Sequence, residues 1–432
     1  KKYYYNTLFK NLRIIKWMYS NVSEEYITNL TKQKTTTIEM TIVNWIQKIG
    51  LWLGPTGHGT NWLAKICILC YLVTNIAQII VLVMDRNDPE RLFECFSVLS
   101  FCAMGFIKLS SLQFRKDDWY WLLNKAFILE NDQLNNNDTT VNYESDDEEN
   151  NRFSPHILLY TQRFKSTTML LSHLYWFTAV VFISSPFFGY AIYRNGNYLH
   201  VLPIWSPMDN VSFMGYIITL TVEIIAAVYC VAIQIIFDSF ATGTMIFICG
   251  QFSLLREYSR HIGGCGVGIC HSNMKRDARA HYRIKKCHYI HVTLMVNKLN
   301  DLIRNIIGVY FFVATLTLCS VAVQLQLEDL TATQLIGLLQ YMCSTLIQLL
   351  LYCHYGNAVQ NESAIFTGDG PFTSSWWALS GKVRREIAIL CTGMSRSCKL
   401  FAGPFNILSL QSFIQIIKAA YSYYTVLNRT SK

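Results

Sequence analysis

Five side chains able to hold a metal, Cys265, Cys270, His271, Cys287 and His288, fall within one stretch of the 432-residue chain. Their spacing fits no zinc framework, so no metal site is expected there. Cys67 and Cys70 form a Cys-x-x-Cys pair inside an apolar run, where the thioredoxin-type redox context is missing. Gly263 to Gly268 has the glycine content of a phosphate loop, but no strand precedes it and no Lys-Ser or Lys-Thr follows. No Ser/His/Asp or His-Glu-x-x-His arrangement occurs, so neither enzyme activity nor a cofactor is expected. Glu223 is the acid deepest in an apolar run. It could bind a polar ligand or a coupling ion, and a protonated or paired structural carboxylate is the preferred reading.

The most informative polar residues lie near the C-terminus. With Gln411 as origin and about 100 degrees per residue, Gln415, Lys418, Ser422, Thr425 and Arg429 all fall within about 40 degrees of it. The opposite face is Phe413, Ile416, Ile417, Ala420 and Tyr424. A continuous polar stripe on a spanning helix does not face lipid. It lines a water path or hydrogen-bonds within a packed bundle, and the residues alone leave both open. Lys418 is awkward for a cation pore, unless it snorkels or meets an acidic neighbour. A second constellation, Phe96, Ser100, Trp176, Ser184, Phe213, Tyr216 and Tyr341, mixes aromatics with small hydroxyls. Such walls suit a small hydrophobic ligand. Ordinary core and lipid-facing positions have the same composition.

The elements that carry these residues follow from composition. The chain is 52% hydrophobic, 14% aromatic and 15% charged, with mean hydropathy +0.23. Soluble domains are about 25% charged. A disordered chain, a disulfide-stapled mini-protein and a coiled coil are excluded. Most of the 14 cysteines lie in apolar runs and count as small apolar residues, so no disulfide framework is expected. Residues 1–20 hold no uninterrupted apolar stretch and no small-residue cleavage site, so no signal peptide is read there.

A spanning helix needs about 20 mainly apolar residues. Seven runs qualify: Trp62 to Met84, Leu92 to Phe114, Thr167 to Tyr190, Phe213 to Phe237, Gly308 to Leu325, Thr333 to Tyr355 and Phe405 to Leu427. The fourth continues as a helical pattern to about Ile262, and an amphipathic helix from His288 precedes the fifth. Ser380 to Leu400 reads as a basic amphipathic helix, broken by Gly403-Pro404. The chain is thus expected to be all-α, a seven-transmembrane-helix membrane protein. With the N-terminus inside, Lys and Arg number 28 in cytoplasmic segments against 5 in outer ones. That bias predicts a cytoplasmic N-terminus and an extracellular C-terminus, the reverse of a rhodopsin-like receptor. The net charge of +9 therefore reports topology, and no nucleic-acid partner is expected.

Four segments are expected. Residues 1–58 form a cytoplasmic N-terminal segment. Residues 59–262 carry spans one to four, with an outer ligand pocket and an acidic cytoplasmic insert near 130–152. Residues 263–287 form a flexible cytoplasmic loop, and 288–432 carry spans five to seven. The 189–211 loop, with Pro203, Trp205 and Pro207, is expected to be an ordered outer lid, and Asn210-Val211-Ser212 is a glycosylation sequon.

Leu408-Ser409-Leu410-Gln411-Ser412-Phe413, followed by Ala420-Tyr421-Ser422-Tyr423-Tyr424-Thr425-Val426-Leu427, closely resembles the last span of insect odorant receptors. Tyr355-Gly356-Asn357, Trp376-Trp377 and Pro203…Pro207…Asp209 also look like that family, and the resemblance covers essentially the whole chain. The gustatory-receptor signature and the broader look of the universal co-receptor (Orco) are absent, which points to a ligand-tuned subunit. The resemblance implies an odorant-gated, non-selective cation channel, a tetramer with Orco in the plasma membrane of olfactory dendrites, bounded by membrane lipid. It implies that a small volatile organic ligand binds in the outer half, between spans two, three, four and six. The pocket residues are then Phe96, Ser100, Trp176, Val180, Ser184, Phe213, Tyr216, Leu220, Leu338 and Tyr341. It implies a pore lined by the last helix, with Lys418, Ser422 and Thr425 along it and the gate on Val426. A second gate position, apolar in the co-receptor, falls on Thr430. A metabotropic receptor would need the opposite orientation. A secondary transporter would show paired intramembrane charges or inverted repeats, and neither is read from the sequence.

Overall fold

Apolar length decides where the helices of the computed structural model run. The structure describes residues 37–51, 61–84, 87, 89–135, 153–193, 200–204, 213–263, 274–293, 295–325, 332–365, 370–404 and 406–430. In chain order the helices are α1 (Thr37–Lys48), α2 (Trp62–Met84), α3 (Pro89–Phe114), α4 (Lys116–Asn135), α5 (Phe153–Tyr193), α6 (Phe213–Ser259), α7 (Met274–Thr293), α8 (Val296–Gln324), α9 (Ala332–Ser363), α10 (Gly381–Met394) and α11 (Leu410–Thr430). A two-stranded antiparallel pair, β1 (Phe401–Ala402) with β2 (Asn406–Ile407), separates α10 from α11. Among the described residues, six helices are long and apolar enough to cross a membrane. The last expected span forms α11, whose 21 residues are polar along one side.

α6 is the central mast. It packs against α2, α3, α5 and α9, and residues 233–248 are buried without a break. Its 47 residues exceed the roughly 20 that cross a bilayer, so it projects well beyond one. α5 runs beside it for 41 residues. Their contact is close because glycine faces ring: a Cβ on Gly243 would come within 2.5 Å of Phe164, and one on Gly250 within 2.3 Å of Tyr160. α2 lies at the periphery, with Leu69, Val73, Ile76, Ile79 and Val83 exposed, as a lipid-facing helix requires.

Two expectations for the connections change. The 263–287 stretch, read as a loop, is helical from Met274. Ala280, Ile284, Cys287 and Ile290 recur at helical spacing and are buried, and α7 packs on α6 and α10 with that strip. The acidic insert begins later than 130, because α4 continues through Asn135. Glu130 is buried there and accepts from the Tyr160 hydroxyl at 2.9 Å, while Gln133 and Gln251 pair side chain to side chain at 2.6 Å. The rest of the insert, residues 136–152, lies outside the described residues, as do most of the expected lid and the sequon.

Candidate ligand site, polar core and pore helix

Tyr341 packs against residues of α3 and α5, and of the other expected pocket residues Ser100 shares its acceptor, the Ser97 carbonyl. Tyr341 is buried on α9, and its hydroxyl donates to the Ser97 carbonyl of α3 at 2.9 Å. Phe101 of α3 and Phe182 of α5 meet its ring edge-on, both at 6.2 Å between centroids. Ser100 donates to the Ser97 carbonyl at 2.8 Å and lies 2.9 Å from the Thr317 hydroxyl of α8. Thr178 and Ser344 share a 3.0 Å bond between α5 and α9. These hydroxyls bond among themselves, and the neighbouring side chains are mainly aromatic, a composition that suits an apolar guest.

The other expected pocket residues spread out. Phe96, Ser184, Leu220 and Leu338 are half-buried on α3, α5, α6 and α9. Tyr216 is half-buried and meets the His200 ring at 5.7 Å. Trp176 and Val180 lie outside the buried strip of Tyr175 and Ala179, with 41% and 60% of their surface exposed. Tyr175 and Phe182 are the α5 side chains that reach Phe101 and Tyr341. Phe213 opens α6, and its side chain is outside the described ones.

Glu223 is fully buried and paired. His200 Nδ1 lies 2.6 Å from one carboxylate oxygen, and the Val201 and Leu202 N–H groups donate to the other at 2.8 and 3.1 Å. This carboxylate holds residues 200–202 onto α6, which matches a paired structural role. Charged acceptors strengthen such backbone bonds.

A second buried acid lies one helical stretch deeper, and hydropathy ended the fourth span just before it, at Phe237. Asp238 is 1% exposed and gathers four donors. Lys108 Nζ and the Tyr352 hydroxyl each reach Oδ1 at 2.5 Å; Gln348 donates to Oδ2 at 2.7 Å and the Tyr175 hydroxyl at 2.5 Å. One carboxylate thus ties α3, α5, α6 and α9 together. Lys108 also donates to Gln234 and stands over the Phe237 and Tyr310 rings at 5.5 and 5.7 Å. The pairing corrects the reading that no intramembrane charges are paired. An ion pair this deep persists only when its hydrogen-bonding capacity is filled, as it is here. Its one signal in the sequence was Gln234 and Asp238, four residues apart on one face of a continuing helix.

On α11 most of the stripe lies outward, but Ile417, expected opposite it, is 38% exposed as well. Ile416 and Ala420 are buried, and Phe413 and Tyr424 half-buried, against α8 and α9. Gln411, Gln415, Lys418 and Ser422 are exposed, Thr425 is half-buried, and Val426 is 59% exposed. The polar side therefore faces away from the subunit's own core. The side chain of Thr430, the last helical residue, is outside the described ones. A cavity of about 520 Å³ is lined by His291 of α7, Ile389, Thr392 and Gly393 of α10, and Arg396 and Cys398 just after it.

A long-helix bundle with a lipid-facing periphery and an outward polar helix defines a multi-pass membrane protein. The model of the 7tm odorant receptor family matches residues 88–421, and the chain belongs to that family. Curated relatives include Odorant receptor 22c of Drosophila melanogaster, 28% identical over 200 residues, 44% of this chain and 48% of that protein. The chain thus spans about half the length of that relative. Odorant receptor 23a of the same fly is 26% identical over 86% of this chain and 90% of its own. The odorant receptor coreceptor of Anopheles gambiae is 23% identical over 32% of this chain and 28% of its own. The solved olfactory receptor OR5 of Machilis hrabei, in complex with eugenol, shares the fold at a TM-score of 0.72. It has 16% identity, covering 91% of this chain and 99% of that one.

Proposed function

We propose that the chain is the ligand-tuned subunit of an odorant-gated, non-selective cation channel. It assembles with the Orco co-receptor as a tetramer in the plasma membrane of olfactory neurons. The observation that carries the reading is the family match over residues 88–421, joined to the outward polar side of α11. The Lys and Arg count of 28 to 5 supports a cytoplasmic N-terminus and an extracellular C-terminus. A small volatile molecule, mostly apolar, binds beside Tyr341 in the outer half. The eugenol held by the solved relative is of that chemical kind. Burial of apolar area plus one or two hydrogen bonds drives binding, and micromolar affinity is expected of so small a ligand. The ligand binds the open state better than the closed one and shifts the population. The outer end of α11 then moves outward around Val426 and cations pass.

Coexpression with the co-receptor tests this. A panel of volatile phenols, esters and terpenes, eugenol included, should evoke a cation current from the pair. A Val426 substitution should change ion selectivity or block, and unaltered selectivity and block would remove the pore assignment. The buried Lys108–Asp238 pair favours one second reading, a secondary transporter, because paired intramembrane charges serve coupling ions. Substrate flux without current would decide for it.

A further inference from the structure

We propose that the Asp238 carboxylate, clamped by Lys108, Tyr175, Gln348 and Tyr352, couples the Tyr341 site to α11. The inference rests on the reading above that ligand binds beside Tyr341 and that α11 lines the conducting path. Contacts run without a gap between the two. The Tyr341 ring meets Phe101, and Phe101 meets Tyr175 at 6.5 Å between centroids. Tyr175 then donates to Asp238 Oδ2. Oδ1 of the same carboxylate accepts from Tyr352, about one turn along α9 from Gln348, about two from Ser344, and one turn before Tyr355 and Gly356. A Cβ on Gly356 would lie 2.4 Å from the Leu408 side chain, at the base of α11.

Continuity alone is not coupling; a two-state element is needed. The carboxylate supplies one. Both of its oxygens carry two donors each, so a turn of α9 or α5 against α6 must release a phenol or an amide from a charged acceptor shielded from water. Such bonds weaken steeply once their geometry is lost, and a donor left unpaired in this dry site is costly, which favours a few discrete arrangements. Lys108 is held by Gln234 as well, so α3 and α6 stay together as the fixed half. α5 and α9, which carry Phe182, Tyr341 and the α11 contact, are the half that moves. Tyr175 is the pivotal side chain because it touches Phe101 with its ring and Asp238 with its hydroxyl. These residues are positioning residues and touch no permeating ion.

The test removes single hydroxyls while leaving the ion pair whole. Tyr175→Phe and Tyr352→Phe are each combined with Val426→Cys, in the full chain coexpressed with the co-receptor. The modification rate of that cysteine by a membrane-impermeant thiosulfonate, applied to each membrane face in turn, reports on α11. The unsubstituted chain supplies the background. Each variant should change the rate, and the ligand-free current per surface channel, by ~10-fold or more, the size expected for one bond to a charged group. Thr221→Val, likewise carrying Val426→Cys, deletes a 2.7 Å hydroxyl bond within α6 and should leave both unchanged. Rates equal to that of Val426→Cys alone in both phenylalanine variants would overturn the proposal, as would an equal shift in Thr221→Val. Because thiol modification needs no current, a shifted rate in a pair that never conducts would keep the coupling and remove the channel reading.

Discussion

Gly308 and Gly403 meet backbone to backbone: a Cβ on Gly308 would lie 2.6 Å from both the Cα and the N of Gly403. The contact anchors the turn that feeds α11. The Gly403 N–H donates to the Arg304 carbonyl at 2.7 Å, and Arg304 Nε donates back to the Gly403 carbonyl at 2.9 Å. Gly403 also has φ 69°, a left-handed conformation that other residues adopt at a cost. Gly308→Ala must push β1 off α8. We expect it to destabilise the solubilised protein by about 1–3 kcal/mol, read as a lower unfolding midpoint. Gly381→Ala, where nothing lies within 4 Å, is the matched control and should be neutral or better.

Glu223 predicts where amide exchange should be slow. The Val201 and Leu202 N–H groups both end on one oxygen of a carboxylate with 0% exposure. Glu223→Ala leaves both amides without an acceptor. Each bond to a charged group is worth about 1.5–3 kcal/mol, so exchange at residues 201 and 202 should speed up about tenfold or more. Hydrogen-exchange mass spectrometry on the peptide over 200–204 checks this. Unchanged uptake would show that the segment is held by something else.

Asp118 gives a pH dependence with a definite sign. The Lys298 ammonium, bonded at 2.6 Å, and the Arg115 guanidinium hold its carboxyl below the usual aspartate range. A lowered folded-state value stabilises above the unfolded value of about 4 and is lost as pH falls through the folded one. The tie between α4 and α8 should therefore be intact at pH 7 and fail only in strong acid. About a third of the side-chain surface of both Asp118 and Lys298 is exposed, so the loss should stay below about 1 kcal/mol. Asp118→Asn should remove that acid-dependent part from the unfolding midpoint and lower stability slightly at neutral pH.

Lys418 should tune conduction if α11 lines the path. It is exposed on the polar side of the helix, between Gln415 and Ser422. A fixed cation there repels permeant cations. Lys418→Gln should raise the single-channel conductance, and Lys418→Glu should raise it further and deepen cation selectivity, most clearly at low salt. Identical conductance in all three would place Lys418 away from the ions.

Much of the bundle could be read from apolar runs. Trp62–Met84 has the same bounds in sequence and structure, since no polar continuation blurs its ends. α5 begins at Phe153, well before Thr167, because its first turns are amphipathic and pack on α4 and α6 rather than in lipid. The aromatic set around Tyr341 was visible in part, since composition marks aromatic walls. Trp176 and Tyr175 are adjacent, and only packing shows which one turns inward. The Asp238 cluster shows in the sequence only as the Gln234/Asp238 spacing, for a different reason. Its partners lie 63, 110, 114 and 130 positions away, and no local pattern links them. A span that ends on hydropathy also ends at the first charge, which is where this one does its structural work.

The outward side of α11 bears on the subunit's life before assembly. Alone in a bilayer, the helix would offer Gln411, Gln415 and Lys418 to hydrocarbon on its way to the surface. If the chain assembles as proposed, the same side chains would penalise export of an unaccompanied copy. Quality control in the secretory route has a built-in mark to read: a copy without partners should be retained and degraded, and a copy with them should pass.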